Sequence, residues 1–404
     1  MEKIIKTDKL PIYSWAKEIE MGALTQARNL ANLPVAFHHI AIMSDVHEGY
    51  GMPIGGVMAT KNVIVPNAVG VDIGCGVRAC ETEITFKNIE LLLERIISDI
   101  ARSIPSGFTH HKEPQSSDLF YHLDEDDELA EASGRGYHGR KSMVVHHPPK
   151  SPVINQEIES AKYQLGTLGG GNHFLEILKD SKNKIWLMVH SGSRNFGYKT
   201  AQYYHHKALV QHPAFRDLAW LDIEGLGKEY YDAMNFCVEF ARQNRVRMLE
   251  TMLESLKRYY GDLEHKLPID VHHNYASLEE HFGEQVYIHR KGAVKANKDD
   301  LAIIPGTMGT YSYIVKGLGN VKSFCSSSHG AGRRMSRSQA RKEFNFSQIK
   351  KELADEGIKI SASHKASAVE EAPGAYKDIK EVIELQKDVI EVVEELKPIG
   401  VVVG

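Results

Sequence analysis

Short apolar runs that end in glycine and polar residues recur along this chain, separated by stretches of helical period. Residues 1–34 read as a short strand and then a helix, which Pro34 ends. Residues 38–43 read as a strand running into Ser44-Asp45-Val46-His47-Glu48-Gly49-Tyr50-Gly51, and a second β-prone stretch, 57–65, leads to Gly70-Val71-Asp72-Ile73-Gly74-Cys75-Gly76. Over 86–104, Ile89, Leu92, Leu93, Ile96, Ile97 and Ile100 recur at helical spacing. Residues 185–189 predict a strand delivering His190-Ser191-Gly192-Ser193-Arg194, and 228–260 predict a long helix of mixed charge on the periphery of the core. Strands at 269–271, 302–304 and 323–328 lead in turn to His272-His273-Asn274-Tyr275, to Pro305-Gly306-Thr307-Met308-Gly309 and to His329-Gly330-Ala331-Gly332-Arg333. Ile379, Val382, Ile383, Val389, Ile390 and Val393 predict a final amphipathic helix over 376–396. No linker divides the pattern. The expected architecture is one α/β (α+β) domain over 1–404, with central sheets, peripheral helices and a site at strand ends.

Between 105 and 152 the periodicity fails. Pro105-Ser106-Gly107-Phe108-Thr109-His110-His111-Lys112 reads as a loop, followed by an acidic block at 124–131 and a basic one with Arg135, Arg140, Lys141, His146 and His147. A variable, substrate-facing excursion is expected here. Gly134-Arg135-Gly136-Tyr137-His138-Gly139 matches GxGxxG, but no strand precedes it and no helix clearly follows, so no dinucleotide site is expected.

Composition narrows the function. The 404 residues are 42% hydrophobic and 25% charged, ample for a large core. A formal net charge of -4 excludes a chain-wide polybasic surface, so any anion site is a local patch. Cys75, Cys80, Cys237 and Cys325 form no CxxC pair, which argues against a disulfide framework or a zinc ribbon. The chain shows no leader-like start and no apolar run of about 18 residues, so no membrane segment is expected and the cytoplasm is the expected compartment. The unusual count is 21 histidines, and they gather where strands meet glycine turns.

Taken alone, residues 70–76 read as a turn with a buried cysteine and a capping aspartate. Repetition changes that reading, because strands that end side by side bring their loops together. Asp72, Cys75, His173, His190 and His273 are then candidate metal ligands; a shared thiolate lets them hold two ions, and mixed O, N and S donors admit manganese or zinc. In Leu165-Gly166-Thr167-Leu168-Gly169-Gly170-Gly171-Asn172-His173-Phe174-Leu175-Glu176, the glycines let backbone N–H groups converge on an anion. Asn172, Arg194, Asn274 and Arg333 suit phosphates. There is no GxxxxGK[ST], HExxH or GxSxG pattern, and no lysine in a KxDG setting. A covalent nucleotide, if formed, needs another nucleophile; His329 can attack phosphorus to give a phosphoramidate.

The motifs at 45–51, 70–76, 165–176, 190–194, 272–275, 305–309 and 328–333 together resemble the RtcB family of RNA-splicing and RNA-repair ligases, in order from about residue 37 onward. The resemblance implies a family-specific single-domain fold and a GTP- and manganese-dependent ligase joining RNA 3′-phosphate or 2′,3′-cyclic phosphate ends to 5′-hydroxyl ends. It implies one ion on Asp72, Cys75 and His173, and a second on Cys75, His190 and His273. His329 is then the guanylated nucleophile. Asn172, His173, Phe174, Leu175, Glu176, His273, Asn274, Pro305, Gly306, Thr307, Met308, Ser312, Gly330, Ala331 and Gly332 would surround the guanylate, with Glu176 reading guanine. Asp45 and Arg194 would be further active-site residues, and Arg333 would hold a phosphate. Expected partners are RNA, GTP and an archease-like activator, with a monomer as the expected state. One departure stands out: the family carries a lysine just before the terminal glycine, where this chain has Val403. The alternatives are a metal-dependent cyclic-phosphate phosphoesterase, a repair-specialised paralogue with altered nucleotide use, or a non-catalytic RNA-binding relative.

Overall fold

The computed structural model describes residues 1–120 and 148–404. Two sheets carry the fold. One has six strands in the order Lys3–Ile5, Ile12–Ser14, Ala36–Tyr50, Met52–Thr60, Glu284–Lys291 and Asn274–His281. The other runs Ile269–His272, Gly76–Thr85, Lys184–Ser191, Phe174–Lys179, Ile390–Val403, Ser312–Gly317 and Leu301–Ile304, with Lys359–Ala362 parallel to Ile390–Val403. Helices and sheets are mixed, as the α/β (α+β) expectation has it.

Register in the second sheet decides where the candidate residues meet. Gly76 pairs with both His272 and Ser191, and His190 pairs with both Val77 and Phe174. These neighbours are antiparallel, so Cys75 and His173 precede their strands, whereas His190 and His273 lie at or just past the ends of theirs. The loops gather at one edge by alternating starts and finishes, not by the shared strand ends the sequence suggested.

The helix Lys228–Tyr260 is not peripheral. Phe236, Cys237 and Phe240 pack into one apolar cluster, while Met248, Met252 and Leu256 pack into another. Between these groups lie Asn244 and Arg245, both fully buried. Asn244 Oδ1 accepts from the N–H groups of Gly166 (2.7 Å) and Thr167 (3.0 Å), and its Nδ2 donates to Gly192 O (3.1 Å). Arg245 Nη1 donates to Gly74 O (2.9 Å) and Ser191 O (3.0 Å), and Nη2 donates to Asp270 Oδ1 (2.6 Å). Two consecutive side chains thus tie four chain segments to one helix. Even charge mixing along the helix hid this, because polar positions facing the core read as a solvated face.

Three local expectations are corrected. The predicted helix at 376–396 is a short helix, Ile379–Glu384, followed by the strand Ile390–Val403. Val389, Ile390, Val392 and Val393 are β-branched, and this segment pairs with strands on both sides, which overrides a helical spacing. Only Ser326–Ser328 of the 323–328 segment is strand; Phe324 and Cys325 have positive φ (52° and 48°). Asp45 lies within the strand Ala36–Tyr50, where the register shifts between Ile42 and His47, and not after it. The GxGxxG match and the acidic and basic blocks of the excursion lie outside the described residues, whereas the helix Pro152–Gln164 begins where the excursion was expected to end.

Arg245→Met is expected to destabilise the fold by about 3 kcal/mol, since Asp270 keeps only Arg78 and two buried carbonyls lose a charged donor. Arg245→Lys should recover little, because an ammonium cannot reproduce the guanidinium fork. Denaturant unfolding of both variants checks this.

Candidate active site

The edge defined by Gly76 gathers the candidate ligands. His173 Nε2 lies 2.9 Å from Asp72 Oδ2 and 3.5 Å from Cys75 Sγ, and His190 Nε2 lies 3.4 Å from the same sulfur. Two groups of three donors result, Asp72–Cys75–His173 and Cys75–His190–His273, with the donor atoms of each within 4.8 Å of one another. Cys75 belongs to both. A Cβ on Gly192 would stand 2.1 Å from Asp72 Oδ1, so only glycine leaves the carboxylate its place.

The electrostatics fit a cation. Burial, and then the neighbouring histidines, push His190 and His273 well below the ordinary imidazole range, so both are neutral with lone pairs available. Neither Nδ1 has a hydrogen-bond partner among the described residues. Burial, and then the Asp72 charge, push the Cys75 thiol up. Burial works against the Asp72 carboxylate too, yet His173 beside it holds it below its usual value. His173 Nδ1 lies 2.9 Å from Leu168 O; with an ion bound, the ring's N–H would point there and Nε2, released from its contact with Asp72, would be free to ligate. A carboxylate, a thiol and three imidazoles with free lone pairs match what a divalent ion of intermediate softness requires.

His329 follows the strand Ser326–Ser328. Asp45 Oδ2 accepts from the His329 backbone N–H (3.1 Å) and lies 2.7 Å from its Nδ1. Asp45 is fully buried, and its Oδ1 has no partner among the described residues. Gly332 closes the turn at φ +73°, and a Cβ there would lie 2.1 Å from Asp45 O. The His329 and His273 rings stand 4.7 Å apart between centroids, which sets the carboxylate-held histidine beside the second donor group.

A cavity of roughly 270 Å³ joins these parts. Asp72, Cys75, Asn172, His173, Phe174, Glu176, His190, His273, Asn274, Pro305, Gly306, Thr307, Met308, His329, Gly330, Ala331, Gly332 and Arg333 line it. Four candidates do not. Leu175 points to the opposite face of its strand, into the core. Asp45 stands behind His329, and Ser312 Oγ accepts from Gly306 N–H (3.1 Å), supporting the 305–309 loop from behind. Arg194 donates to Thr167 Oγ1 (3.1 Å) and Gly107 O (2.7 Å), bracing the glycine loop. Arg333 reaches the cavity but is already paired with Glu371 at 3.3 Å and donates to Glu370 O at 2.8 Å. Asn274 spends its amide on the backbone, donating to Asp72 O (3.0 Å) and accepting from Gly292 N–H (2.9 Å).

Sequence reading missed His47, Lys291, Arg337, Tyr376 and Val401 as lining residues. Burial lowers His47 to about 4, so it is neutral, with Nδ1 2.9 Å from Asp45 O. Lys291 is buried, donates to Tyr50 O and Asn67 O, and is lowered by burial to about 7. Its place at a strand end before Gly292 was the available signal; the run His289-Arg290-Lys291 looked like a solvated face.

Glu176 is buried, its Oε2 has no partner among the described residues, and burial raises its carboxyl to about 8. The folded state therefore holds this proton more tightly than the unfolded chain. The resulting stabilisation is full below about pH 4.5 and is lost as pH rises to about 8. In metal-free protein, wild type should lose on the order of a few kcal/mol more than Glu176→Gln between pH 5 and 8.5. Denaturant midpoints measured across that range for both proteins test it.

Among the described residues no helix is long and apolar enough to cross a membrane. A family model described as tRNA-splicing ligase RtcB matches residues 26–404, a span containing every residue of the cluster. The RNA-splicing ligase RtcB of Escherichia coli (strain K12) is 37% identical over 423 residues, covering 100% of this chain and 99% of that protein. The tRNA-splicing ligase RtcB of Nanoarchaeum equitans is 32% identical over 456 residues, covering 100% and 95%. That of Aeropyrum pernix is 34% identical over 438 residues, covering 94% and 91%. By the family match and by these end-to-end similarities, the chain belongs to the RtcB family of RNA-splicing ligases.

Proposed function

We propose that this RNA ligase joins 3′-phosphate or 2′,3′-cyclic phosphate RNA ends to 5′-hydroxyl ends, using GTP and two manganese ions, in tRNA splicing or RNA repair. The observation that carries the reading is His329 held through Nδ1 by buried Asp45, beside two donor groups that share one thiol. Manganese on Asp72, Cys75 and His173, and on Cys75, His190 and His273, would neutralise phosphate charge and polarise the reacting P–O bonds.

The chain's own residues do the rest. With Nδ1–H donated to Asp45, His329 Nε2 keeps its lone pair and attacks the α-phosphorus of GTP. The N–P bond forms as the P–O bond to pyrophosphate breaks, and Asp45 offsets the charge that develops on the ring. The guanylate then passes to an oxygen of the RNA 3′-phosphate, restoring the imidazole. The 5′-hydroxyl attacks that phosphate's phosphorus and GMP leaves; a cyclic phosphate is first opened by water. Glu176, as carboxylate, accepts from guanine N1–H and the 2-amino group, and these donors favour its ionised form. The wall beside it is apolar, Val401 and Val403, so a donor to the guanine oxygen is missing there and discrimination falls on Glu176.

Incubation with manganese and α-labelled GTP should give an acid-labile adduct that His329→Ala abolishes and Asp45→Asn slows by roughly 100-fold or more. No adduct with any divalent metal overturns nucleotidyl transfer. The apolar Val403 wall favours a second reading, a cyclic-phosphate phosphoesterase. That activity would proceed without GTP and survive His329→Ala, so ligation and hydrolysis with each of the four NTPs separate the two.

Cys75→Ala is expected to remove both ions and Asp72→Ala mainly one, read by metal analysis of protein equilibrated with manganese. Equal content in wild type and Cys75→Ala would count against a bridging thiolate.

A further inference from the structure

Phe108 is fully exposed (102%) at the tip of a tight turn. Leu91 and Leu267 are nearly as exposed, and single exposed aliphatic residues are ordinary on protein surfaces. Phe108 differs in how firmly it is presented. Thr109 N–H donates to Ser106 O (3.1 Å), Thr109 Oγ1 donates to the same oxygen (2.6 Å), and Ser106 N–H donates back to Thr109 Oγ1 (3.1 Å). Gly107 and Phe108 are the central pair of this turn, with Gly107 at φ +63° as a turn of that hand requires.

The turn is fastened to the catalytic glycine loop. Gly107 N–H donates to Gly169 O (2.8 Å), Leu168 N–H donates to Pro105 O (2.8 Å), and Arg194 Nη2 donates to Gly107 O (2.7 Å). Gly107 Cα lies 3.7 Å from where a Cβ of Gly170 would stand, two residues before Asn172 and three before the metal-cluster histidine His173. Groups suited to phosphates neighbour the turn, one in space and others in sequence. The edge of exposed His364 reaches 3.2 Å from the Cβ position of Gly107, His110 and Lys112 follow on the same loop, and Lys365 follows His364. An exposed aromatic ring on a backbone-anchored turn, next to a cluster suited to phosphates and with lysines close by in the chain, is the arrangement that binds single-stranded nucleic acid by stacking.

We propose that Phe108 is a stacking platform for a base of the RNA strand within a few nucleotides of the end being joined. The proposal rests on the RNA-ligase reading and adds to it a residue that grips RNA through a base face, independently of sequence, while the cluster holds the terminal phosphate. Stacking of this kind weakens by about tenfold when the aromatic is removed.

The test uses full-length protein with manganese and RNAs carrying 2-aminopurine at each of the last few nucleotides of either end. Wild type should quench one position. Phe108→Ala and Phe108→Leu should lose the quenching and raise the KM for joining about tenfold, whereas Phe108→Tyr should retain both. Placing an abasic nucleotide at the quenched position should bring wild type and Phe108→Ala to the same KM. Unaltered Tm in the variants serves as the folding control. Joining by wild type with Phe108→Ala unchanged in KM and quenching overturns the platform alone. An equal loss on base-bearing and abasic RNA makes Phe108 a loop support or a contact for another partner, and overturns it too. Wild type that neither binds nor joins RNA overturns the platform together with the RNA reading.

Discussion

The buried pair Asn244–Arg245 is the constraint on which the cluster depends. Taking a guanidinium out of water is costly unless each of its donors finds an acceptor. Here the acceptors are Gly74 O, Ser191 O, Asp270 and His272, which belong to the loop before Cys75, the strand end after His190 and the strand before His273. Asn244 adds the glycine loop before His173 through Gly166 and Thr167. Every segment that delivers a cluster residue is therefore hydrogen-bonded to one turn of one helix. The loops are rich in glycine and would be mobile if left alone; the helix gives them a common reference.

Once those loops are fixed, burial sets the chemistry. Three of the carboxylates at the candidate site have different environments. Asp72 has His173 and Cys75 beside it and remains an anion despite burial. Asp45 is committed to His329 on one oxygen only. Glu176 has no charge partner among the described residues, and desolvation raises it. The histidines divide in the same way: His190 and His273 are neutral and, among the described residues, unpartnered at Nδ1, while the Nδ1 atoms of His329 and His173 lie against oxygens of Asp45 and Leu168. Free atoms therefore remain on His190, His273, Glu176 and Asp45, while His173 is bonded through both ring nitrogens.

Arg194 and Asn274, whose types suggested phosphate contact, and Ser312, which the family resemblance set at the guanylate, all bond to backbone or hydroxyl groups of the chain in this structure. A guanidinium or an amide in a glycine-rich loop suits phosphate equally well whether it faces the ligand or the backbone behind it. Only the surrounding acceptors decide. Thr167, Gly107, Asp72 and Gly292 supply them here. Lys291 shows the opposite case, a residue that looked like surface charge and lies buried against the cavity.

By itself the sequence marked the residues that the structure brings to one edge, because glycine turns with His, Asp and Cys are local patterns and their repetition shows at short range. It also determined the long helix at 228–260, and it marked 86–104 as helical, a segment the structure divides into Phe86–Ile89, a tighter turn at Glu90–Leu92 and Leu93–Ser103. Tertiary structure decided what local patterns cannot carry. It paired Gly76 with His272 and Ser191, segments more than a hundred residues away, and so set the ligands at alternating starts and ends of antiparallel strands. It turned 390–403 into a strand, because neighbours on both sides offered backbone partners that a helix would have left unused. It also turned the mixed-charge helix inward, since the value of a buried arginine depends on acceptors brought from distant parts of the chain.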